Sequence, residues 1–148
     1  MKNIFVPCRG AIVDITEIND DVFKNKMLGD GMAVVPDDKE KLVCAPIDGE
    51  IVQIFPSNHQ FSIKTDDGLE FLIHIGVETF EVKKGLLVCS VKEGQYVKRG
   101  TPIIKAKFKK LKAEGYDTSV IVIVLDHPIS QKTKIMKSEN METVLFSI

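Results

Sequence analysis

The chain has 148 residues, of which 44% are hydrophobic and 28% are charged, and its formal net charge is −1. This composition is typical of a folded globular protein and excludes a disordered chain. The small net charge argues against general nucleic-acid binding, which needs a basic face to displace counterions. No apolar run approaches the roughly 18–20 residues that a membrane helix requires. We therefore predict a single domain over residues 1–148, with no nucleic-acid partner and no insertion into a membrane.

Cysteine usage and the N-terminal segment predict a cytoplasmic location. Cys8, Cys44 and Cys89 are an odd number of cysteines without CxxC spacing, which favours buried free thiols in a reducing compartment. Residues 1–7 are too short a segment, and too soon interrupted by Pro7, to resemble a signal peptide.

Strand signals dominate the chain, because short β-branched or aromatic runs recur between Gly, Pro, Asn and Asp clusters. Helix signals are scarce, with short helical turns predicted over 20–27 and 108–114 and ended by Gly29 and Gly115. Many short strands with frequent turns predict an all-β sandwich or barrel. The predicted strands, in chain order, are 11–15, 32–35, 42–45, 50–55, 59–64, 69–75, 86–91, 102–108, 119–124, 133–136 and 143–147.

One pattern occurs twice in the chain. Segments 6–15 and 45–54 carry proline, glycine, Ile, Val and Ile at matching positions. Proline sets a turn, glycine permits positive φ and a strand follows, so the repeat predicts a duplicated β motif. The alternative is a common turn–strand pattern that occurs twice by chance.

Two of the three histidines flank a predicted hairpin turn over residues 65–68, where Asp-Gly lies between β-rich runs. A four-residue loop would pair His59 directly with His74, and a two-residue turn would place them diagonally, so either register puts both rings on one face. A three-residue loop would send them to opposite faces. We expect one shared face, with ring nitrogens ~3–6 Å apart. The alternative is a pair of half-buried histidines without a role.

The neighbours of His74 are aliphatic, which predicts a largely neutral imidazole near pH 7. A neutral imidazole is a good nucleophile, and two facing rings can hold a metal ion or an oxyanion. His127 lies in a predicted surface turn and has no such partner.

Several segments together resemble one known family, the glucose-type enzyme IIA of the bacterial phosphoenolpyruvate–sugar phosphotransferase system. The order and spacing of these segments agree with the family from about residue 6 to residue 125. The most specific segment contains His74-Ile75-Gly76, downstream of a second histidine. The matching segments are 22–31, 45–52, 55–61, 72–79 and 91–100.

The resemblance implies a phosphoryl carrier with an antiparallel β-sandwich fold of the duplicated hybrid, or barrel-sandwich, type. It implies that His74 is phosphorylated, that His59 holds the phosphoryl oxygens and that Ser57 orients His59. The donor would be the phosphocarrier HPr, and the acceptor would be a cysteine on the IIB domain of a sugar permease. Phosphoryl transfer depends on positioning and charge stabilisation, so no cofactor and no metal are expected. Backbone N–H groups near Gly76 are expected to add donors, and regulatory proteins are further expected partners.

The resemblance also implies a shallow apolar ring around the histidines that binds transient partners. Its candidates are Val22, Phe23, Phe55 and Phe61, with Glu78 where the family usually has aspartate. Phe23 is expected at the rim of the depression. The alternative is that these aromatic side chains belong to the core, as most do in a β-sandwich.

Three other functions compete with this interpretation. A zinc endopeptidase of the lysostaphin type needs a His-x-His pair, but Leu72 stands where the second histidine would be. A biotinyl or lipoyl carrier needs a lysine at a hairpin tip, and residues 65–68 contain none. A purely regulatory binding protein derived from the carrier stays open.

Overall fold

The computed structural model describes residues 2–148, which form short strands, two helices and one 3-10 turn at Ile15–Glu17. The helices are α1 (Asp21–Lys24) and α2 (Phe108–Ala113). Neither helix of this described part has the length and apolar character that crossing a bilayer requires. The strands are β1 (Asn3–Phe5), β2 (Gly10–Asp14), β3 (Asp30–Pro36), β4 (Leu42–Cys44), β5 (Gly49–Ile54), β6 (Gln60–Lys64), β7 (Glu70–Ile75), β8 (Leu87–Cys89), β9 (Tyr96–Val97), β10 (Pro102–Ala106), β11 (Val120–Val124), β12 (Gln131–Lys132), β13 (Lys137–Ser138) and β14 (Val144–Ser147).

The strands form one large sheet and two small ones. The large sheet has eight strands in the order β13-β2-β3-β11-β7-β6-β5-β9. The small sheets have the orders β4-β10-β8 and β1-β14-β12. Every strand pair is antiparallel. The predicted all-β antiparallel architecture with two short helical turns is therefore confirmed.

Most predicted strands occur within one or two residues of their predicted bounds. The prediction of a strand over 133–136 is wrong, because these residues form the connection between β12 and β13. The predicted strand over 102–108 ends earlier, at Ala106, and α2 begins at Phe108. Strands β1, β9, β12 and β13 were not predicted, since segments of two or three residues are too short to show a period.

Strand β11 lies at the centre of the large sheet and is buried on both faces. Its residues Val120, Val122 and Val124 pack into the main core, while Ile121 and Ile123 pack into a second apolar cluster on the opposite face. The continuous apolar run of this strand is the sequence pattern expected of burial on both sides. The second cluster also contains side chains from the 3-10 turn and α1, which places α1 over β11 and β7.

The internal repeat has a structural counterpart near the N-terminus. The N–H of Phe5 donates to the carbonyl of Pro46 at 2.9 Å, and the N–H of Cys44 donates to the carbonyl of Pro7 at 2.8 Å. The sequence offset that relates residue 7 to residue 46 also relates residue 5 to residue 44, so the two bonds are equivalent under the repeat. This reciprocal pairing supports a duplicated motif related by pseudo-two-fold symmetry.

Candidate functional site

The hairpin between β6 and β7 has a register that neither favoured loop length predicts. Gln60 lies opposite His74 and Lys64 lies opposite Glu70, so an odd number of residues, 65–69, connects the strands. The N–H of Thr65 also donates to the carbonyl of Leu69 at 2.8 Å. This is the register of a three-residue loop, and the prediction of a four- or two-residue loop is therefore wrong.

The two imidazoles nevertheless lie together, with ring centroids 5.4 Å apart and ring planes inclined by 75°. Strict alternation along β6 would direct His59 away from His74. His59 instead precedes the strand and follows Asn58, whose φ is 61°. Only its carbonyl joins the ladder, accepting from the N–H of Ile75 at 2.7 Å. The predicted close approach of the two rings is thus confirmed. It results from the irregular backbone before β6, whereas the predicted hairpin register is not the one that forms.

His74 is held by a backbone carbonyl two residues further along the chain. Its Nδ1 lies 2.7 Å from the carbonyl oxygen of Gly76. Since a carbonyl can only accept, Nδ1 carries the proton and Nε2 keeps its lone pair in the neutral ring. Gly76 has φ of 75°, and a Cβ there would come within 2.5 Å of Thr79 Cγ2. The carbonyl that orients His74 therefore depends on glycine at this position.

The environment of His74 keeps its imidazole neutral. Burial lowers the pKa of His74 to about 4, against a usual value of 6.5. The hydrogen bond to Gly76 and the charge of Asp20 oppose this shift in pKa, and the neighbouring His59 adds to it. The ring of Phe23 meets His74 edge-on with centroids 4.9 Å apart. At neutral pH the Nε2 lone pair is therefore available as a nucleophile.

His59 is buried and incompletely hydrogen-bonded. It is 8% exposed, its Nδ1 has no partner, and burial lowers its pKa. The ring of Phe55 packs edge-on against it at 5.6 Å. The hydroxyl of Ser57 donates to the carbonyl of Phe80. Because the single hydroxyl proton of Ser57 is used in this bond and His59 Nδ1 has no hydrogen-bond partner, the orientation of His59 by Ser57 that the resemblance implies is not made in this structure.

The expected apolar ring is only partly at the surface. Val22 is 40% exposed and Phe55 is half-buried, but Phe23 is 5% exposed and Phe61 is fully buried. Phe61 packs into the main core, and Phe23 packs into the second cluster beneath α1. Placing Phe61 in a partner-binding ring is therefore wrong, and Phe23 lines the site from below and not at its rim. Glu78 is exposed, with φ of 57°.

The backbone donors expected near Gly76 are already engaged. The N–H of Gly76 donates to the carbonyl of Ser119 at 2.8 Å, and the N–H of Val77 donates to the carbonyl of Asp117 at 3.0 Å. The expectation that these groups face a phosphoryl ligand is wrong, because they anchor the turn after β7 to the segment before β11.

Two residues of the site were missed at the level of sequence. Phe80 is 57% exposed and is joined to Ser57 by its carbonyl. An aromatic residue in a polar segment without strand periodicity was the available signal. Asp20 caps α1 by accepting from the N–H of Val22 at 2.9 Å, and its charge acts on His74. An aspartate before a short helical pattern signals a cap, but not proximity to His74.

The arrangement of the site offers nucleophilic chemistry. Among residues 2–148, no group of three or more His, Cys, Asp or Glu side chains has the spacing to hold a metal ion. What the site presents is one oriented, neutral imidazole, a second imidazole beside it and an exposed apolar margin. These features suit the transfer of a group between histidine and a partner protein.

Comparison with known proteins first identifies the class of protein. The fold matches that of the glucose permease IIA from Mycoplasma capricolum, with a TM-score of 0.86, 30% identity and coverage of 98% of this chain and 94% of that chain. The model of the family described as "phosphoenolpyruvate-dependent sugar phosphotransferase system, EIIA 1" matches residues 2–129. The chain therefore belongs to this EIIA family and is a phosphotransferase component of sugar uptake.

Curated relatives agree with this assignment. A glucose-specific EIIA component of Halalkalibacterium halodurans is 40% identical over 148 residues, covering 98% of this chain and 84% of the relative. A glucose-specific EIICBA component of Staphylococcus carnosus is 37% identical over 122 residues, covering 82% of this chain and 18% of the relative. The family assignment is favoured over the zinc endopeptidase and over the biotinyl or lipoyl carrier.

Proposed function

We propose that Nε2 of His74 accepts a phosphoryl group from phosphorylated HPr and passes it to a cysteine on the IIB domain of a sugar permease, in the cytoplasm. The observation that carries this proposal is the bond between His74 Nδ1 and the Gly76 carbonyl, 2.7 Å long. It fixes the tautomer in which Nε2 is the nucleophile, beside a second imidazole at 5.4 Å.

The transfer requires no redox partner and no net proton change at His74. The Nε2 lone pair forms a bond to phosphorus while the bond between phosphorus and the donor's imidazole nitrogen breaks. The breaking bond returns its electron pair to the donor nitrogen. In the second step a cysteine thiolate of the acceptor attacks phosphorus, and the electron pair of the P–N bond returns to His74. The Nδ1 proton stays hydrogen-bonded to the Gly76 carbonyl throughout both steps.

His59 supplies a hydrogen bond to the phosphoryl oxygens in this proposal. Its Nδ1 is buried without a hydrogen-bond partner. A buried N–H without an acceptor costs more free energy than a buried nitrogen lone pair without a donor. The proton is therefore assigned to Nε2, which donates to the phosphoryl group. If the hydroxyl of Ser57 leaves the carbonyl of Phe80, it can donate to His59 Nδ1 and fix that tautomer. In this proposal, the bond from Ser57 to the Phe80 carbonyl belongs to the unphosphorylated protein, and the bond from Ser57 to His59 belongs to the phosphorylated one.

The surface around the histidines suits transient protein partners. Val22 and Phe80 are exposed apolar residues, Asp20 adds negative charge near His74, and Glu78 is an exposed carboxylate four residues along the chain from His74. An apolar centre bordered by carboxylates would attract a partner with an apolar face and basic margins. The relative from Staphylococcus carnosus is named as an EIICBA component, which supports a IIB domain as one partner. Regulatory proteins that bind the same face are further proposed partners.

The proposal is tested by phosphorylation of the purified protein. Wild type and His74→Gln are incubated with phosphoenolpyruvate, enzyme I and HPr, and acid-labile phosphate is measured by intact mass. We expect one phosphoryl group on wild type and none on His74→Gln. His127→Gln, which changes an exposed histidine outside the site, is the matched control and should be labelled like wild type. Label that persists on His74→Gln, or a wild type that accepts none, contradicts the proposal; the latter result favours a purely regulatory protein.

A further inference from the structure

A lysine-lined cavity lies apart from the histidines. Its volume is about 570 Å³, and two segments form it: residues 38–41, between β3 and β4, and residues 105–110, at the end of β10 and the start of α2. None of its lining residues belongs to the phosphoryl-transfer site. The lysines that line it are Lys39, Lys41, Lys105, Lys107, Lys109 and Lys110.

The pairing of β4 with β10 brings the two segments together. Lys105 lies opposite Leu42, and the N–H of Ala106 donates to the carbonyl of Lys41 at 2.8 Å. Helix α2 then turns away, with Phe108 buried against the core. The cavity thus has a firm backbone framework and an apolar floor, while all six lysine side chains are exposed.

The positive charge of the cavity is not balanced by neighbouring carboxylates. Among the described residues, none of the six lysines forms an ion pair. Glu40 lines the cavity, but its Oε2 accepts from Arg9 Nε at 3.1 Å and its Oε1 accepts from the N–H of Lys41 at 3.0 Å. The second lining carboxylate, Asp38, has no ion pair. Six lysines therefore face one free carboxylate in a chain whose net charge is −1.

We propose that this cavity binds an anion that carries clustered phosphate groups, either as a free phosphorylated compound or as lipid headgroups. Like charges held together in a concave site repel each other and focus a positive potential, which an anion relieves. Lysine ammonium groups bind phosphate as point charges. The volume lies within the ~300–1,000 Å³ that small-molecule sites occupy, and six ammonium groups match several phosphates better than one. This inference does not depend on the role of His74, since the two sites share no residue.

The test measures binding of inorganic triphosphate to the whole chain by isothermal titration calorimetry at two salt concentrations. The test variant is Lys105→Gln/Lys107→Gln/Lys109→Gln. The matched control is Lys64→Gln/Lys92→Gln/Lys134→Gln, which removes the same charge from exposed, unpaired lysines outside the cavity. We expect the cavity variant to lose about tenfold or more in affinity and the control to lose less than about twofold. Thermal unfolding verifies that both variants fold, as substitutions of exposed side chains should.

A second arm distinguishes the two sources of phosphate. Co-sedimentation compares phosphatidylglycerol vesicles with phosphatidylcholine vesicles, using the same three proteins. Cavity-dependent binding of triphosphate identifies a soluble ligand, and cavity-dependent binding of phosphatidylglycerol alone identifies lipid headgroups; both support the site. Equal losses in the two variants, or no binding of either probe, would overturn the proposal.

Discussion

One carbonyl oxygen determines which nitrogen of His74 is free. The Gly76 carbonyl fixes the proton on Nδ1, and burial among Phe23 and the aliphatic neighbours disfavours a second proton. A protonated imidazole has no lone pair, so its lowered pKa keeps His74 nucleophilic well below neutral pH.

The pKa of His74 also predicts how stability varies with pH. The pKa of this imidazole is about 4 in the folded chain and near 6.5 in the unfolded chain. Between these values the unfolded chain binds the proton and the folded chain does not, so the free energy of unfolding falls as the pH falls. The loss due to His74 is at most roughly 3–4 kcal/mol, since one pKa unit corresponds to about 1.4 kcal/mol.

Urea unfolding of wild type and His74→Gln at pH 7 and pH 4.5 measures this loss. The variant cannot bind the proton, so its stability should fall less over the same interval. Asp14, whose pKa is lowered to about 2, loses its contribution only at lower pH and does not interfere. Identical pH dependence in the two proteins would contradict the buried, neutral His74.

His59 is predicted to matter more for giving the phosphoryl group away than for receiving it. If HPr brings its own hydrogen-bond donors to the first transfer, only the second transfer relies fully on the donor beside His74. Removing one such donor costs ~2.7–4 kcal/mol at a transition state, or about 10²–10³ in rate. His59→Gln should therefore accept phosphate from HPr but slow strongly in transfer to the IIB domain. The half-reactions are followed separately by rapid quench, with His127→Gln as control. Equal slowing of both would count against this role.

At the scale of elements, the turn after β7 is the part that orients the site. Thr79 is fully buried, and its hydroxyl donates to the carbonyl of Ile75. The N–H groups of Gly76 and Val77 also donate to the segment before β11. These hydrogen bonds fix the position of the Gly76 carbonyl, which accepts from Nδ1 of His74.

Gly76→Ala is predicted to destabilise this turn. The φ of 75° is unfavourable for alanine, and the new Cβ would meet Thr79 Cγ2 at 2.5 Å and the Asp117 carbonyl oxygen at 3.0 Å. We expect a loss of about 1–3 kcal/mol in unfolding free energy and a shift of the His74 ring nitrogens by NMR. Gly85→Ala is the matched control, because Gly85 also has positive φ but a Cβ added there would have no neighbouring atom within 4 Å. Similar losses at both positions would show that conformation alone, and not the close contact, is responsible.

At the scale of the whole molecule, the two apolar clusters determine which aromatic residues can meet a partner. Phe61 packs into the main core and Phe23 into the second cluster. The exposed apolar residues that remain near them are Val22, next to Phe23, and Phe80, whose carbonyl accepts from Ser57. Contact with HPr or a IIB domain should therefore depend on Phe80.

Phe80→Ser should weaken HPr binding while leaving the fold intact. Phe80 is 57% exposed, so its loss removes apolar contact area from the docking face without opening the core. A central aromatic contact is typically worth more than about 1 kcal/mol in an interface, so affinity measured by NMR titration should fall about fivefold or more. Leu42→Ser, which removes an apolar side chain that is 38% exposed on β4 opposite Lys105, is the control and should bind like wild type. Unchanged affinity in Phe80→Ser would remove Phe80 from the docking face.

The sequence alone determined the fold class, the family and the two histidines. Strand periodicity depends on local alternation of apolar and polar residues, so most strands, including the fully buried β11, were predictable. The short strands β1, β9, β12 and β13 were not predictable, because two or three residues carry no period and their pairing partners lie elsewhere in the chain.

Only the tertiary structure decided how these parts meet. The register of the hairpin follows from the hydrogen bond between the N–H of Thr65 and the carbonyl of Leu69. The sequence allows loops of two, three or four residues, and it does not determine which of them forms. His59 lies beside His74 because the backbone at Asn58 is irregular, so His59 does not follow the alternation of side-chain directions along β6. Whether an aromatic side chain is core or surface, as for Phe61 and Phe80, depends on the cluster its strand or turn faces. Sequence determines local conformation and chemistry, whereas contacts between distant segments depend on packing of the whole chain, which no local pattern encodes.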